Sequence, residues 1–329
     1  MPTVGAGSSK MVRVVLFALS ILLLATGAGR AQYPDKPVRI IVPFIAGSAP
    51  DVAARQVAQR LTAGLGQQFI VDNKPGAAGN IGAELAARAA PDGYTLMLLT
   101  SSHVLNPFLY SRVGYDAVKD FAPITMITRI PSLMVVPPSS PAKTAAEFVA
   151  LAKSMPGKLN YGSGGTGSLA HLSAEAFRLA TGIDYVHVPY KGAPEIVMAL
   201  LSDQVQVGFP TMPTAFRQAQ QGVLRPLAVT SAKRTRAMPE VPTLLEAIPS
   251  GFALDAWLAL AAPTGTPAEI VARLYATLTE ALKDSSFRDA LGSDGSEIVL
   301  NRPAEFAAIL HDEVPKWRAL IQRIGVKLE

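Results

Sequence analysis

Val38-Arg39-Ile40-Ile41-Val42-Pro43-Phe44-Ile45-Ala46-Gly47-Ser48-Ala49-Pro50-Asp51 reads as a strand, a turn and the start of a helix. The β-branched run ends at a proline, and Gly47 and Pro50 punctuate the next stretch. A helix is expected from Asp51, with Val52, Val57, Ala58, Leu61 and Leu65 on its apolar side and a stop at Gly66. Asp51 suits the helix N-terminus, where a carboxylate meets free N–H groups and the positive end of the dipole. The unit then repeats, with strand Phe69-Ile70-Val71, helix 80–90 and the buried strand 94–99. A second set comes later, in which strands 159–161, 185–188, 205–209 and 225–229 alternate with helices 169–181, 194–202 and 213–221. Such alternation argues for α/β architecture, with two parallel-rich sheets flanked by helices.

The C-terminal part reads as helices 267–283, 285–291 and 303–323. Phe306, Ile309, Leu310, Val314, Trp317, Leu320 and Ile321 recur there at helical spacing and are expected in the core. Segment 121–136 leads from the first set to the second, and 252–262, around Trp257, leads back. If the C-terminal helices rest on the first sheet, that lobe is discontinuous. The expected division is a signal peptide at 1–31, lobe 1 at 32–127 plus 255–329, and lobe 2 at 128–254, joined by two hinge strands.

The signal reading rests on Lys10 and Arg13, the apolar run 14–25 and the small-residue close Gly29-Arg30-Ala31. The run is shorter than the roughly 20 residues of a membrane span. Cleavage after Ala31 would leave 298 of the 329 residues, enough for one or two domains, in the periplasm. The chain has no cysteine, which removes disulfides, thiolate metal sites and lipoprotein anchoring. Lys10, Arg13 and Arg30 leave with the signal and reduce the formal charge from +5 to +2. With only Lys233-Arg234-Arg236 clustered, nucleic-acid binding is not expected.

In parallel α/β sheets, ligands sit beyond the carboxyl ends of the strands. The loops there are 43–51, 100–106, 162–168, 189–193 and 210–214. They are rich in Gly, Ser and Thr, nearly free of acids, and each opens a helix. Free N–H groups and hydroxyls at helix starts suit a carboxylate. Ordinary capping would explain any one of these loops alone. Gly162-Ser163-Gly164-Gly165-Thr166-Gly167 matches the dinucleotide fingerprint, but the following strand ends in Pro189-Tyr190 without the acid that would hold a ribose. An anion-cradling loop is the preferred reading. His103, His171, His187 and His311 lack metal-ligand spacing. His171 either faces a ligand or caps packing, and His187 reads as structural. No Gly-x-Ser-x-Gly elbow is present. No catalytic residue, metal or cofactor is expected.

Tyr33-Pro34-Asp35-Lys36-Pro37 leading into Val38–Phe44, Asp72-Asn73-Lys74-Pro75-Gly76-Ala77-Ala78-Gly79-Asn80-Ile81-Gly82, Ala90-Pro91-Asp92-Gly93-Tyr94-Thr95-Leu96, Val186-His187-Val188-Pro189-Tyr190-Lys191-Gly192, the stretch 227–234 and Val241-Pro242-Thr243 resemble the Bug, or TctC-like, solute receptors of tripartite tricarboxylate transporters. The resemblance runs in order along nearly the whole mature chain. It implies a type II-like, two-lobed periplasmic binding protein that closes on a small organic acid and delivers it to integral membrane permease subunits. Receptors that open and close are expected to be monomers. By position, the implied ligand-binding residues are Phe44, Ala46, Gly47, Ser48, Ala49 and Asp51, then Ser101, Ser102 and Asn106, then Ser163, Thr166, Gly167, Ser168, Tyr190 and Thr211. Phe44 and Tyr190 either line the ligand or pack their loops.

Two departures stand out. The family's first loop usually reads Pro-Phe-Pro-Pro-Gly-Gly-Gly, and here it is 43–49 with Ile45, Ala46, Ser48 and Ala49. The family often has an aspartate after the phenylalanine near 209, where this chain has Pro210-Thr211. Its loss argues against an amino-acid ligand. The alternatives are a sensor partner that presents ligand to a signalling receptor, and an exported serine hydrolase using Ser101 or Ser168, which would need a base and an orienting acid that no spacing suggests.

Overall fold

The computed structural model describes residues 33–328. The expected signal 1–31 lies outside them, and among the described residues no helix is long and apolar enough to cross a membrane.

The first sheet contains β1 (Val38–Val42), β2 (Phe69–Asn73), β3 (Thr95–Thr100), β4 (Phe121–Ile130), β10 (Ala256–Pro263) and β11 (Glu297–Ile298), in the order β11-β4-β10-β3-β1-β2. The second contains β5 (Leu133–Val136), β6 (Asn160–Ser163), β7 (Val186–Pro189), β8 (Val207–Gly208) and β9 (Arg225–Val229), in the order β7-β6-β8-β5-β9. Both sheets are mixed. β2, β1 and β3 run parallel, as do β7, β6 and β8, whereas β10 is antiparallel to β3 and β4, and β5 to β8 and β9. The parallel parts are the βαβ units legible in the sequence. The antiparallel parts come from strands that join the sheets directly, without the helical crossover a parallel pair requires.

Helix α1 (Ala49–Leu65) starts earlier than expected, with Ser48 as its N-cap and Pro50 in its first turn. Gly66 closes it at φ +74°, a left-handed conformation that suits glycine. It buries Asp51, Ala54, Val57, Ala58 and Leu61, and Val52 is 49% exposed. Val52 belongs to a different stripe, because 100° per residue puts Ala54 on the 57/58/61 face. Helices α2 (Asn80–Ala87) and α3 (Ser102–Leu109) complete the first set. In the second, α4 (Ala145–Ser154), α5 (Leu169–Thr181), α6 (Ala193–Leu201), α7 (Met212–Gln220) and α8 (Leu244–Ala247) surround the sheet.

The C-terminal helices α9 (Ala268–Ala281), α10 (Ser285–Gly292) and α11 (Pro303–Ile324) return to the first sheet. α9 and α10 meet α1, and α11 meets α3 and β4. Phe306, Leu310, Trp317 and Ile321 of α11 share one core with Met97, Leu99, Leu105 and Trp257. That core also takes in Leu172 and Ala176 of α5, so it reaches the second sheet's helices.

Among the described residues the chain crosses between sheets twice, at Pro131 and between β9 and β10. The crossings are bonded to each other. Ile130 pairs with Ala256, Thr230 N–H donates to Ser132 O, and Leu254 N–H donates to Thr230 O. Thr230 Oγ1 accepts from Ser132 N–H at 2.8 Å and donates to Asp255 Oδ1 at 3.0 Å. Asp255 Oδ2 lies 3.6 Å from Arg129 Nη1. A cavity of about 420 Å³ beside the crossings, lined by Arg129, Ala176, Phe252, Asp255, Glu313 and Trp317, separates part of α5 from α11.

Candidate ligand-binding site

Because β1, β2 and β3 are parallel, the turns after them leave the same sheet edge. Side chains bind these turns together. Asn73, at the end of β2, donates from Nδ2 to Phe44 O at 3.0 Å and to Asp51 Oδ1 at 2.9 Å. Asp51 Oδ2 accepts from Gly47 N–H and from Arg55 Nε, each at 2.9 Å. Asp51 is therefore a first-turn residue that reaches back to clasp its own loop, rather than the cap. Its hydrogen bond with Arg55 holds the carboxyl at about 2, below the usual range and against the opposing effect of burial. Gly47 has φ +80° and keeps the one glycine this loop needs. Ser48 turns its hydroxyl to Ile45 O at 2.7 Å. Ala46 and Ala49 are exposed, and Phe44 is half-buried near Gly79.

The turn after β2 lies outside the expected site loops, although its Pro75-Gly76 and Gly79 are turn signals at the same edge. Ala77 and Ala78 have φ +45° and +53°. Left-handed alanine costs roughly 1–2 kcal/mol. Asn106 of α3 offsets this by donating from Nδ2 to Ala78 O at 3.0 Å and to Asn80 Oδ1 at 2.7 Å. Tyr115 donates to His103 O at 3.0 Å, and its ring stacks on His103 at 4.7 Å. His103 Nε2 bonds Ala117 O at 3.0 Å, and burial lowers the imidazole to about 4, so it stays neutral. Asn106 is thus buried as a brace. Ser101 is the buried N-cap residue of α3, its N–H donating to Trp257 O at 3.2 Å, and Ser102 is half-buried beside it.

Gly82 lets α2 lie against the first loop. A Cβ there would stand 2.9 Å from Pro43 Cβ and 3.0 Å from both Pro43 Cα and Lys74 O. Gly82→Ala is expected to destabilise the protein by about 1–3 kcal/mol through overpacking against backbone, read as a lower urea midpoint with an unchanged slope.

In the second sheet, β7, β6 and β8 likewise send their turns to one edge. Tyr190 N–H donates to Ser163 O at 2.8 Å, which brings loops 162–168 and 189–193 together. Ser163 is fully buried, with Oγ 2.6 Å from His187 Nε2. Gly167 N–H donates to His171 Nδ1 at 3.2 Å. Ser168 caps α5 by accepting from His171 N–H at 3.3 Å, and Thr166 stands exposed at the tip. The Tyr190 ring lies over Gly162, and its hydroxyl is 3.5 Å from Gln204 Oε1. Thr211 is the N-cap residue of α7, its Oγ1 3.2 Å from Thr214 Oγ1.

The loops of the two halves come close at Gly167 and at Gly295. A Cβ on Gly167 would be 2.9 Å from Leu328 Cδ1 and 3.6 Å from Leu109 Cδ1, and one on Gly295 would overlap Met212 Cγ. The candidate residues therefore form two groups. One is 44–51 with 101–106, and the other is 163–168 with 190. Thr211 lies beside the first crossing, where Ser132 pairs with it.

Two sheets joined by paired crossings, each with a donor-rich edge, define a two-lobed binding protein. Residues 53–326 match TctC, the Tripartite tricarboxylate transporter family receptor. The chain is 32% identical to Protein BugT of Bordetella pertussis over 323 residues, which is 98% of this chain and 99% of that protein. Among solved structures it resembles R. palustris Rpa4515 with adipate, at TM-score 0.76 and 34% identity, over 90% of this chain and 99% of the other. It also resembles MatC from Rhodopseudomonas palustris with bound malate, at TM-score 0.72 and 30% identity, over 88% and 100%. The chain belongs to the tripartite tricarboxylate transporter receptors. It is a periplasmic binding protein of a transport system, and its family is one of receptors rather than enzymes.

Proposed function

We propose that this receptor captures a small organic carboxylate between its lobes and presents it, closed, to integral membrane permease subunits. The observation that carries this reading is electrostatic. Across loops 43–51, 100–106, 162–168, 189–193 and 210–214 the one carboxylate is Asp51, and its oxygens are taken up by Gly47, Asn73 and Arg55. An incoming anion meets hydroxyls and N–H groups without a free like charge. The acids carried by the two R. palustris relatives, adipate and malate, support the same ligand class.

The expected lobes are 32–127 plus 255–329 and 128–254, with the change of sheet itself falling at Pro131, because β4 stays in the first sheet through Ile130. Closure turns on the crossings, and the cavity beside them leaves room for that rotation. The working form is a monomer, exported by a signal cleaved after Ala31. The contact set combines Phe44, Ala46, Gly47, Ser48 and Ala49, positioned by Asp51, with Ser101 and Ser102, beside the turn that Asn106 braces. From lobe 2 it takes Thr166, Gly167 and Ser168, over Ser163, with Tyr190 and Thr211 at the margins.

The test is a thermal-shift series on the chain from Gln32 with mono-, di-, tri- and aromatic carboxylates. At a hundredfold excess over Kd, a ligand held only by the folded state adds about 2.7 kcal/mol, a rise of roughly 5 °C. A flat response across the series, adipate and malate included, would overturn the carboxylate reading.

A further inference from the structure

The glycine loop after β6 is held from beneath by two imidazoles. His171 Nδ1 accepts Gly167 N–H at 3.2 Å. His187 Nε2 lies 2.6 Å from Ser163 Oγ, and Ser163 Oγ in turn accepts Gly165 N–H at 3.1 Å. The two rings are 4.5 Å apart and share Tyr161, which stacks on His187 at 4.8 Å and lies 6.4 Å from His171. Tyr161 donates to Glu175 Oε1 at 2.8 Å, and Arg178 binds Glu175 Oε2 at 2.7 and 2.9 Å. Tyr185 closes the stack 4.5 Å from Tyr161. The neighbours above Gly167 are the apolar Leu109 and Leu328.

We infer that His171 and His187 are positioning residues for the anion seat of lobe 2: they bind the Gly165 and Gly167 amides, directly or through Ser163, and so reserve Thr166 and the uncapped first-turn N–H groups of α5 for the ligand. The role of the loop as a seat rests on the function proposed above; the two-imidazole support does not. To accept Gly167 N–H, His171 must carry its single proton on Nε2. A second proton would fall on Nδ1 and oppose the Gly167 amide, donor against donor. Protonating His187 would make its Nε2 a donor to Ser163 Oγ, whose own proton would turn to Gly165 O, 3.2 Å away. The first event breaks the Gly167 bond; the second re-pairs Ser163 with Gly165.

Burial, and then the charge of His187, hold His171 at about 4, against the opposing pull of Glu175. Burial lowers His187 as well, with Glu175 again opposing. For an imidazole lowered below its usual 6.5, the associated stability is present above 6.5 and declines as pH falls toward 4. The loop is therefore released in acid.

The test tracks the Gly167 amide and the His171 ring by ¹⁵N NMR on the ligand-free chain from pH 7.5 to 4. In wild type we expect an unprotonated Nδ1, a through-bond coupling to the Gly167 amide, and a Gly167 shift that moves with ring protonation. In His171→Asn, whose Oδ1 falls near the Nδ1 position, the amide stays bonded and its pH response disappears. In His171→Ala it exchanges freely at every pH. In parallel, adipate affinity should fall about tenfold in the alanine variant at pH 7, the worth of one hydrogen bond, and be restored by asparagine. A Gly167 amide that keeps its pH response in the asparagine variant, or stays protected in the alanine variant, would overturn the inference. If the NMR pattern holds but no variant binds adipate, the support of the loop stands and the carboxylate reading loses ground.

Discussion

Asp255→Ala is expected to destabilise the protein by about 3 kcal/mol at neutral pH, the lower end for removing one partner of a buried pair. The side chain of Asp255 is 1% exposed and touches both crossings, through Arg129 on one and Thr230 on the other. Its removal leaves Arg129 without its carboxylate and Thr230 without its acceptor. The loss stays at the lower end because Arg129 is 29% exposed and can recover water. Asp255→Asn separates the hydrogen bond from the charge, since an amide oxygen still accepts from Thr230. Burial raises the Asp255 carboxyl to about 6 despite Arg129 and Thr230, which favour the ionised form. The unfolded chain, near 3.8, gives up its proton first. Protonation therefore adds an increment, on the order of 3 kcal/mol, that is fully present below 3.8 and is lost as pH rises through about 6, over and above the pairing with Arg129 and Thr230 that remains at neutral pH. Urea unfolding at pH 4, 5, 6 and 7 should show that decline in wild type and a flatter profile in Asp255→Asn. An unchanged slope in the asparagine variant would assign the pH dependence elsewhere.

Asp51→Ala should cost about 2 kcal/mol, since charge-assisted hydrogen bonds are lost and the Gly47 amide and the Asn73 amide group both lose an acceptor. Ligand capture should weaken as well, with affinity down at least about tenfold, because residues 44–49 lose the clasp that shapes them. The pH behaviour is opposite to that of Asp255. A carboxyl lowered to about 2 stabilises the fold fully above 3.8 and gives up that contribution as pH falls toward 2. Wild type and Asp51→Ala should draw together in stability as pH falls from 3.8 toward 2. A constant gap down to pH 2 would show that the lost packing, not the charge, set the difference.

Much of the fold is legible because helices and strands here obey local rules. The expected helix 169–181 coincides with α5, and Ser168, Gly182 and the apolar stripe between them are all sequence-local signals. Helix α4 escapes a reading by periodicity, although Thr144-Ala145-Ala146-Glu147 announces it. Thr144 accepts from Glu147 N–H, but the face behind it, Ala145, Phe148 and Ala152, offers little contrast in hydropathy. The antiparallel halves of the sheets escape it too, because β4, β5, β9 and β10 are paired by the route of the chain rather than by any period. The same applies to the site. The loops are visible as Gly-, Ser- and Thr-rich punctuation. Their braces span 22 residues from Asp51 to Asn73 and 28 from Ala78 to Asn106, and the brace between the crossings spans 25 from Thr230 to Asp255. Only the three-dimensional register joins those partners.

The left-handed Ala77-Ala78 turn has a consequence for how such receptors diversify. Between Gly76 and Gly79, its two alanines are held left-handed with the help of Asn106, a residue on another element. A single substitution at position 106 would let two alanines relax and re-contour the floor of lobe 1 while leaving every atom proposed to touch the ligand chemically unchanged. Ligand preference in this chain can thus drift through a support beam, in steps that a comparison of contact residues alone would not register.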